Sequence, residues 1–198
     1  MSGKSWWARN LIRYSQQLFV SPPQHVYYFY KADQDLYREM KTEFGPFITF
    51  IRGLPDQVRM ESIGNSGAVT LVVIDDFGQE LNDDVVTLFN ITSHHLKVQV
   101  ALLVHRLFSK IPHMRDISLA ATHICLKPNF RDRTEVQILA RQIAGVNSKD
   151  LVQLFQTVTS NNPFSYLLLN TTQTCKDNLR ITSNIFPSEW PMKVYVPT

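Results

Sequence analysis

Residues 69–76 read VTLVVIDD, and this stretch decides the fold that we expect for the chain. Val69–Ile74 is a continuous run rich in β-branched residues, which is typical of a parallel strand buried on both faces of a sheet. Two acids, Asp75 and Asp76, follow it directly. Open α/β sheets bind ligands outside the carboxyl ends of their strands. The stretch therefore predicts a central strand with an acidic pair at the ligand-binding edge.

Helices and strands alternate on both sides of this strand. Strands are predicted at residues 25–30, 47–51, 97–104 and 121–126, with short ones at 166–169, 179–182 and 194–196. Helices are predicted at residues 4–18, at 33–42 with Asp33 as its N-cap, and at 82–90, 132–143 and 148–158. Such alternation indicates an α/β fold with a mostly parallel central sheet and helices on both faces. We see no internal repeat and no linker, so one domain over residues 1–198 is expected.

Composition excludes several classes of protein. An apolar fraction of 44% with 19% charged residues is typical of a globular domain with its own core. No apolar run approaches the roughly 18 residues of a membrane span, and the first residues lack the apolar region of a secretory signal. We therefore expect no membrane partner. Two distant cysteines, Cys125 and Cys175, fit a reducing intracellular setting better than a disulfide framework.

Charge alone does not identify a partner. The net charge of +3 is smaller than the field that usually marks a nucleic-acid-binding domain. The stretch from Lys97 to Arg141 is locally basic. A solvated surface explains that stretch as well as a nucleic-acid contact does.

A second motif lies at the start of the chain. Gly3-Lys4-Ser5 matches the end of the phosphate-binding pattern GxxxxGK[ST], the Walker A loop. In that loop backbone N–H groups surround phosphates, the lysine reaches the β- and γ-phosphates, and the hydroxyl binds Mg²⁺. Gly3, Lys4 and Ser5 are therefore candidate ATP-binding residues, with Lys4 also catalytic and Ser5 also a metal ligand. The tripeptide alone is common enough to occur by chance.

The acidic pair after the central strand completes the pattern as a Walker B motif. Asp75 is the candidate Mg²⁺ residue, and Asp76 is the candidate catalytic acid that orients or deprotonates the attacking water. A strand that ends in an acidic turn is the simpler alternative. The two motifs in this order, about 70 residues apart, are much less expected by chance than either alone.

Other candidates carry a weaker signal. His105, after the strand at 97–104, is a possible catalytic sensor of the γ-phosphate, or a surface histidine. Arg115 and Arg131, in loops on either side of the strand at 121–126, are candidate arginine fingers, or solvated loop arginines. The adjacent pair His94-His95 has no partner at metal-ligand spacing, so a metal is not expected there. The aromatic run at 27–30 favours core over a base-stacking platform.

Four segments together resemble a known family. They are TLVVIDDFGQEL (70–81), VVTLFNITSHHLKVQVALLVHRLF (85–108), MRDISLAATHICLKPNFRDRTEVQILARQI (114–143) and NLRITSNIFP (178–187). They resemble the genome-packaging ATPases of Polinton/Maverick-like and adintovirus-like DNA elements, within the FtsK–HerA superfamily of P-loop ATPases. The resemblance implies a RecA-like P-loop fold, ATP and Mg²⁺ as cofactors, and a homo-oligomeric ring. It also implies double-stranded DNA and capsid proteins as partners, in the nucleus, a virus factory or the virion.

Individual positions both match and depart from this family. The matches are Gly3, Lys4 and Ser5 in Walker A, Asp75 and Asp76 in Walker B, and Arg131-Asp132 in a "PRD"-like pair. His105 stands where the family generally has Gln, and Ala120 where it generally has Asn. The sequence starts at Met1, so we expect the first strand and the leading glycine of Walker A to be missing. That strand is expected beside the Walker B strand, which would then have one open flank.

Three functions follow from these patterns. The first is an ATP-driven DNA-packaging motor. The second is a catalytically impaired pseudo-ATPase that keeps the fold and a DNA or capsid contact. The third is a P-loop nucleotide or nucleoside kinase, which would require an arginine-rich lid and a nucleoside pocket that we do not find in the sequence.

Overall fold

The computed structural model describes residues 3–77, 80–92, 97–108, 113–128, 134–142, 148–160 and 162–196, with 91 and 92 described by their backbone alone. The chain divides into two compact units, Met1–Ala120 and Ala121–Thr198. This division concerns compactness alone, and the single ATPase domain over residues 1–198 stays a prediction.

The first unit is built on a parallel sheet. Its elements in chain order are α1 (Gly3–Arg13), α2 (Ser15–Leu18), β1 (His25–Tyr30), α3 (Asp35–Phe44), β2 (Ile48–Arg52), α4 (Gln57–Asn65), β3 (Thr70–Asp75), α5 (Asp83–Thr87), β4 (Val98–Leu103) and α6 (Met114–Ala120). The strand order is β2-β1-β3-β4, and all three pairings are parallel. The α/β fold with a parallel sheet flanked by helices is confirmed.

The strand β3 lies inside the sheet with both edges paired. Val73 is opposite Tyr28 of β1 on one side and Ala101 of β4 on the other. The expectation that one flank of this strand is open is therefore wrong. All six residues of β3 are buried, as expected for an apolar strand whose two faces are both covered by helices.

Alternate residues of β3 point to two different cores. Val72 and Ile74 pack with Phe29 and with side chains of α4, α5 and α6 on one face. Leu71 and Val73 pack on the other face, with Val26 and Tyr28 of β1 and with α1 and α3. Successive side chains of a strand point to opposite faces, so Asp75 shares the face of Leu71 and Val73. The alternation of side chains along β3 thus directs Asp75 toward α1 and α3.

Ion pairs join α1 to α3 across that face. Arg9 donates to Glu39 at 2.9 Å and to Glu43 at 2.7 Å, and Arg13 donates to Glu43 at 2.6 Å. The pKa of Glu43 lies below its ordinary value, chiefly because Arg13 donates a hydrogen bond to the carboxylate. The network fixes α1, which carries Lys4 and Ser5, against the helix beside it.

The second unit contains an antiparallel sheet. Its elements are β5 (His123–Leu126), α7 (Thr134–Gln142), α8 (Ser148–Thr159), β6 (Leu167–Asn170), β7 (Ile181–Ser183) and β8 (Lys193–Tyr195). The strand order is β5-β6-β7-β8, and every pairing is antiparallel. Our reading of 121–126 as a further buried strand of the parallel sheet is therefore wrong. Ile124 and Leu126 are buried while their neighbours are more exposed, the alternation typical of an antiparallel strand.

Several helix ends differ from the prediction. The helix predicted at 4–18 is interrupted by a turn at Tyr14. The helix after β1 starts at Asp35 with Gln34 as its N-cap, so Asp33 is not the cap. The helix at 82–90 is capped by Asn82 and continues as a π-helix over Leu88–Thr92. Helix α4, which we did not predict, begins where the Asp56 carboxylate accepts from the Arg59 backbone N–H at 2.8 Å.

Within the residues that the structure describes, no helix has both the length and the apolar character that a membrane span requires.

The ion-pair network between α1 and α3 predicts a pH-dependent stability. Glu43→Gln should lower the free energy of unfolding by about 0.5–1 kcal/mol at pH 7, because two arginines lose their shared carboxylate. The folded-state pKa of Glu43 is below the unfolded value, so its contribution is complete above the unfolded pKa and disappears as pH falls through the folded pKa. Urea unfolding at pH 7 and pH 3 measures the loss of unfolding free energy and its dependence on pH.

Glu61→Gln is the matched control, because the Glu61 carboxylate accepts only from Gln57 of its own helix among the described residues. Its effect should be near zero at both pH values. Equal losses of unfolding free energy for Glu43→Gln at pH 7 and pH 3 would contradict the stabilising role of the Glu43 ion pairs.

Candidate functional site

The topology of the parallel sheet changes direction between β1 and β3. From β1 the chain continues to β2 on one side, and after β3 it continues to β4 on the other. Ligands of open α/β sheets bind at such reversals, outside the carboxyl ends of the strands. Asp75 is the last residue of β3, and Asp76 leaves the strand with a φ of 69° in the left-handed region. The acidic pair therefore lies where this fold places ligands.

The buried carboxylate of Asp75 joins three elements. It is 2% exposed. Its Oδ2 accepts hydrogen bonds from Ser5 of α1 at 2.9 Å, from Tyr28 of β1 at 2.6 Å and from Tyr37 of α3 at 3.0 Å. A charge taken out of water is tolerated only when it is paired or hydrogen-bonded. The three hydroxyls supply that compensation.

Both tyrosines keep their hydroxyl protons in this environment. The pKa of Tyr28 is raised far above its ordinary value by burial and by the adjacent Asp75 charge. The pKa of Tyr37 is raised by the same two causes, burial first. Both shifts favour the protonated phenol, so each hydroxyl is available as an O–H donor to the carboxylate.

A second chain of contacts links Lys4 to Asp76 through His105. Lys4 Nζ lies 3.0 Å from His105 Nδ1, and His105 Nε2 lies 3.0 Å from Asp76 Oδ1. An ammonium donates only, so Nδ1 accepts and the proton of the neutral imidazole resides on Nε2, from which it is donated to Asp76. The pKa of Lys4 is lowered by burial, while the charges of Asp75 and Asp76 oppose that shift.

The donor set of this site fits a hard cation and a triphosphate. A serine hydroxyl and a carboxylate are the oxygen ligands that Mg²⁺ prefers. The half-buried Lys4 supplies the positive charge. The side chain of Asp76 is 50% exposed, so it can contact bulk solvent, whereas Asp75 is almost completely buried. The two acids thus occupy environments suited to two different roles.

The structure brings together five of the predicted site residues. They are Lys4, Ser5, Asp75, Asp76 and His105. Gly3 is the first residue of α1, next to them in the chain. The core assignment of the aromatic run agrees with the full burial of Tyr28 and Phe29.

The arginine candidates are not among these contacts. Arg115 lies in the helix Met114–Ala120, so its placement in a loop is wrong. Its side chain is exposed, and within the described part of the chain it makes no ion pair with the acids. Ala120 is the last residue of that helix. Arg131 and Asp132, like His94 and His95, lie outside the described residues.

Sequence reasoning missed the role of Tyr28 and Tyr37. A signal was present, because a buried tyrosine usually finds a partner for its hydroxyl. The period-two alternation of β1 also places Tyr28 on the face that Val73 and Asp75 share. For Tyr37 the sequence holds no comparable signal, since its contact depends on how α3 packs on the sheet.

Comparison with known proteins adds the family. The sequence profile of the family described as "Poxvirus A32 protein" matches residues 12–185. This chain belongs to the poxvirus A32 protein family. It is a family of viral genome-packaging ATPases, which implies a nucleotide as ligand. Among curated proteins and among solved structures, no match was found. The matched region begins at Ile12, so it does not include Lys4 and Ser5.

The charges around Lys4 predict that a substitution at Asp76 changes the pKa of the Lys4 ammonium. Asp76→Asn should lower the pKa of the Lys4 ammonium further, because it removes one of the two charges that favour the protonated form. The measurement is an NMR titration of ¹³C-methylated lysines, with the Lys4 signal assigned by its absence in Lys4→Arg.

Asp84→Asn is the control, because Asp84 lies in the same unit and contributes nothing to the Lys4 shift. The account is contradicted if Asp76→Asn and Asp84→Asn give the same Lys4 pKa.

Proposed function

We propose that this chain is the ATP-hydrolysing motor domain of a viral DNA-packaging machine. One observation carries the proposal: α1 presents Lys4 and Ser5 to the acids that end β3. Ser5 donates to Asp75 at 2.9 Å, and Lys4 connects to Asp76 through His105. These are the residue types that bind a triphosphate with Mg²⁺ in P-loop ATPases. They meet at the carboxyl edge of a parallel sheet, where ligands bind.

Each residue has a defined task in this mechanism. Lys4 would exchange His105 for the β- and γ-phosphates and neutralise part of their charge, and Ser5 and Asp75 are the residues that would hold Mg²⁺. Bound Mg²⁺ supplies positive charge to the phosphate oxygens. Asp76, which is accessible to solvent, orients the attacking water and accepts its proton. The contact of His105 with Asp76 would fix the orientation of that carboxylate toward the attacking water. Catalysis of this type is mostly positioning and electrostatics.

The family and the resemblance of the sequence support a wider proposal. The motor is of the FtsK–HerA type, related to packaging ATPases of Polinton/Maverick-like elements, and works as a homo-oligomeric ring on double-stranded DNA. Capsid proteins are its docking partners, and the virus factory, nucleus or virion is its location. In a ring, the exposed Arg115 of one subunit is available as an arginine finger for its neighbour. Arg131 is the alternative finger.

A second candidate function is a pseudo-ATPase that keeps the fold and a DNA or capsid contact. The observation that favours it is that the His105 imidazole contacts both Lys4 and Asp76. If that imidazole never releases Lys4, the lysine is unavailable to phosphate. His105→Gln separates the two functions, because Gln is the residue expected at this position from the resemblance. A rise in hydrolysis from zero to a measurable rate would favour the pseudo-ATPase.

The motor proposal predicts DNA-stimulated ATP hydrolysis that depends on the site. Lys4→Ala and Asp76→Asn should each lower kcat by about 100-fold or more, because each removes a charge aimed at the reacting groups. The measurement is phosphate release with Mg²⁺, with and without double-stranded DNA.

Lys41→Ala is the charge-matched control for Lys4→Ala, because Lys41 is an exposed residue in the last turn of α3. Its rate should equal that of the wild type. An absence of hydrolysis by the wild type under all conditions, with nucleotide bound, would reject the motor and leave the pseudo-ATPase.

A further inference from the structure

The contacts of Asp75 indicate a role for two residues outside the motifs. We propose that Tyr28 and Tyr37 are positioning residues that hold the Asp75 carboxylate in the orientation in which it receives Mg²⁺. This inference rests on the proposed function, because it concerns the metal of the same site. It assigns to β1 and α3 a part in metal binding.

The two oxygens of the Asp75 carboxylate differ in their hydrogen bonds. Three hydroxyls converge on Oδ2 of Asp75, at 2.6, 2.9 and 3.0 Å. In the part of the chain that the structure describes, Oδ1 accepts no hydrogen bond. One oxygen is thus occupied by the protein, and the other is left for the metal or for a water bound to it.

The two tyrosines hold Asp75 independently of the phosphate-binding segment. Ser5 belongs to that segment, and its oxygen is itself a candidate ligand of the metal. Tyr28 lies on β1 and Tyr37 on α3, so neither is required elsewhere when a nucleotide arrives. Their hydrogen bonds can therefore persist while Ser5 changes partner.

The rings of Tyr28 and Tyr37 are held by aromatic packing. The centroids of Tyr28 and Tyr37 are 5.2 Å apart, and both rings pack on Phe50, at 5.1 and 5.5 Å. Tyr28 is fully buried and Tyr37 is 5% exposed. Packing of this kind fixes the hydroxyl positions before the metal binds. Residues that orient a metal ligand through hydrogen bonds commonly change metal affinity by about 10- to 100-fold when they are removed.

The test compares three conservative variants of the whole chain. Tyr28→Phe and Tyr37→Phe each remove one hydroxyl and keep the ring. Tyr30→Phe is the control: Tyr30 lies on the same strand, its ring is 5.2 Å from that of Tyr37, and within the described residues its hydroxyl makes no hydrogen bond to Asp75. Mn²⁺ binding in the presence of ADP is measured by EPR of the free ion. Binding of a fluorescent ATP analogue in EDTA is measured separately, together with Tm.

The proposal expects Tyr28→Phe and Tyr37→Phe each to weaken Mn²⁺ binding about tenfold or more, with metal-free nucleotide affinity within twofold of the wild type. Tyr30→Phe should bind Mn²⁺ as the wild type does. A lowered Tm with unchanged Mn²⁺ affinity would show a purely structural role and overturn the inference. If Tyr28→Phe does not fold, Tyr37→Phe, at the less buried site, decides by the same criteria.

The wild type separates this inference from the function on which it rests. If the wild type binds neither the ATP analogue nor Mn²⁺ with ADP, the proposed function fails and the inference fails with it. If the wild type binds both and the two variants do so equally well, the inference alone is overturned.

Discussion

The buried carboxylate of Asp75 is the constraint on which the rest of the site depends. It is a charge at the end of the inner strand β3, almost entirely removed from water. Such a group destabilises a fold strongly unless donors surround it. Here the donors come from α1, β1 and α3, so satisfying one carboxylate requires three elements to meet at one edge of the sheet. The same requirement places Ser5, and with it Lys4, beside the acidic pair.

The other contacts of the first unit hold α1, β1 and α3 in position around Asp75. Parallel pairing of β3 on both edges fixes its register, and so the position of its last residue relative to β1 and β4. Alternation along β3 sends its apolar residues to two cores and aims Asp75 at the face covered by α1 and α3. The ion pairs of Arg9 and Arg13 with Glu39 and Glu43 then hold these two helices together. Helix α1 is thereby fixed to α3, whose Tyr37 also contacts Asp75.

Much of this unit could be predicted from local sequence. A long apolar run such as Val69–Ile74 determines a buried strand by itself, and the acids that follow can only emerge at its carboxyl end. The antiparallel sheet could not be read in this way. The four residues of β5 are too short to distinguish a buried run from an alternating one, and their partner β6 lies about 40 residues later in the chain. The contact of Tyr37 with Asp75 likewise depends on how α3 packs on the sheet, which no local sequence pattern predicts.

The family match and the geometry support different parts of the account. The match covers residues 12–185 and establishes a packaging ATPase family, whereas Lys4 and Ser5 enter through their contacts with His105 and Asp75. The most direct test is a crystal structure of the chain with Mn²⁺ and a non-hydrolysable ATP analogue. The account predicts an anomalous Mn²⁺ peak within about 2–2.5 Å of Ser5 Oγ, next to Asp75, with the terminal phosphates against Lys4. A metal or triphosphate bound away from Ser5 and Asp75 would contradict it.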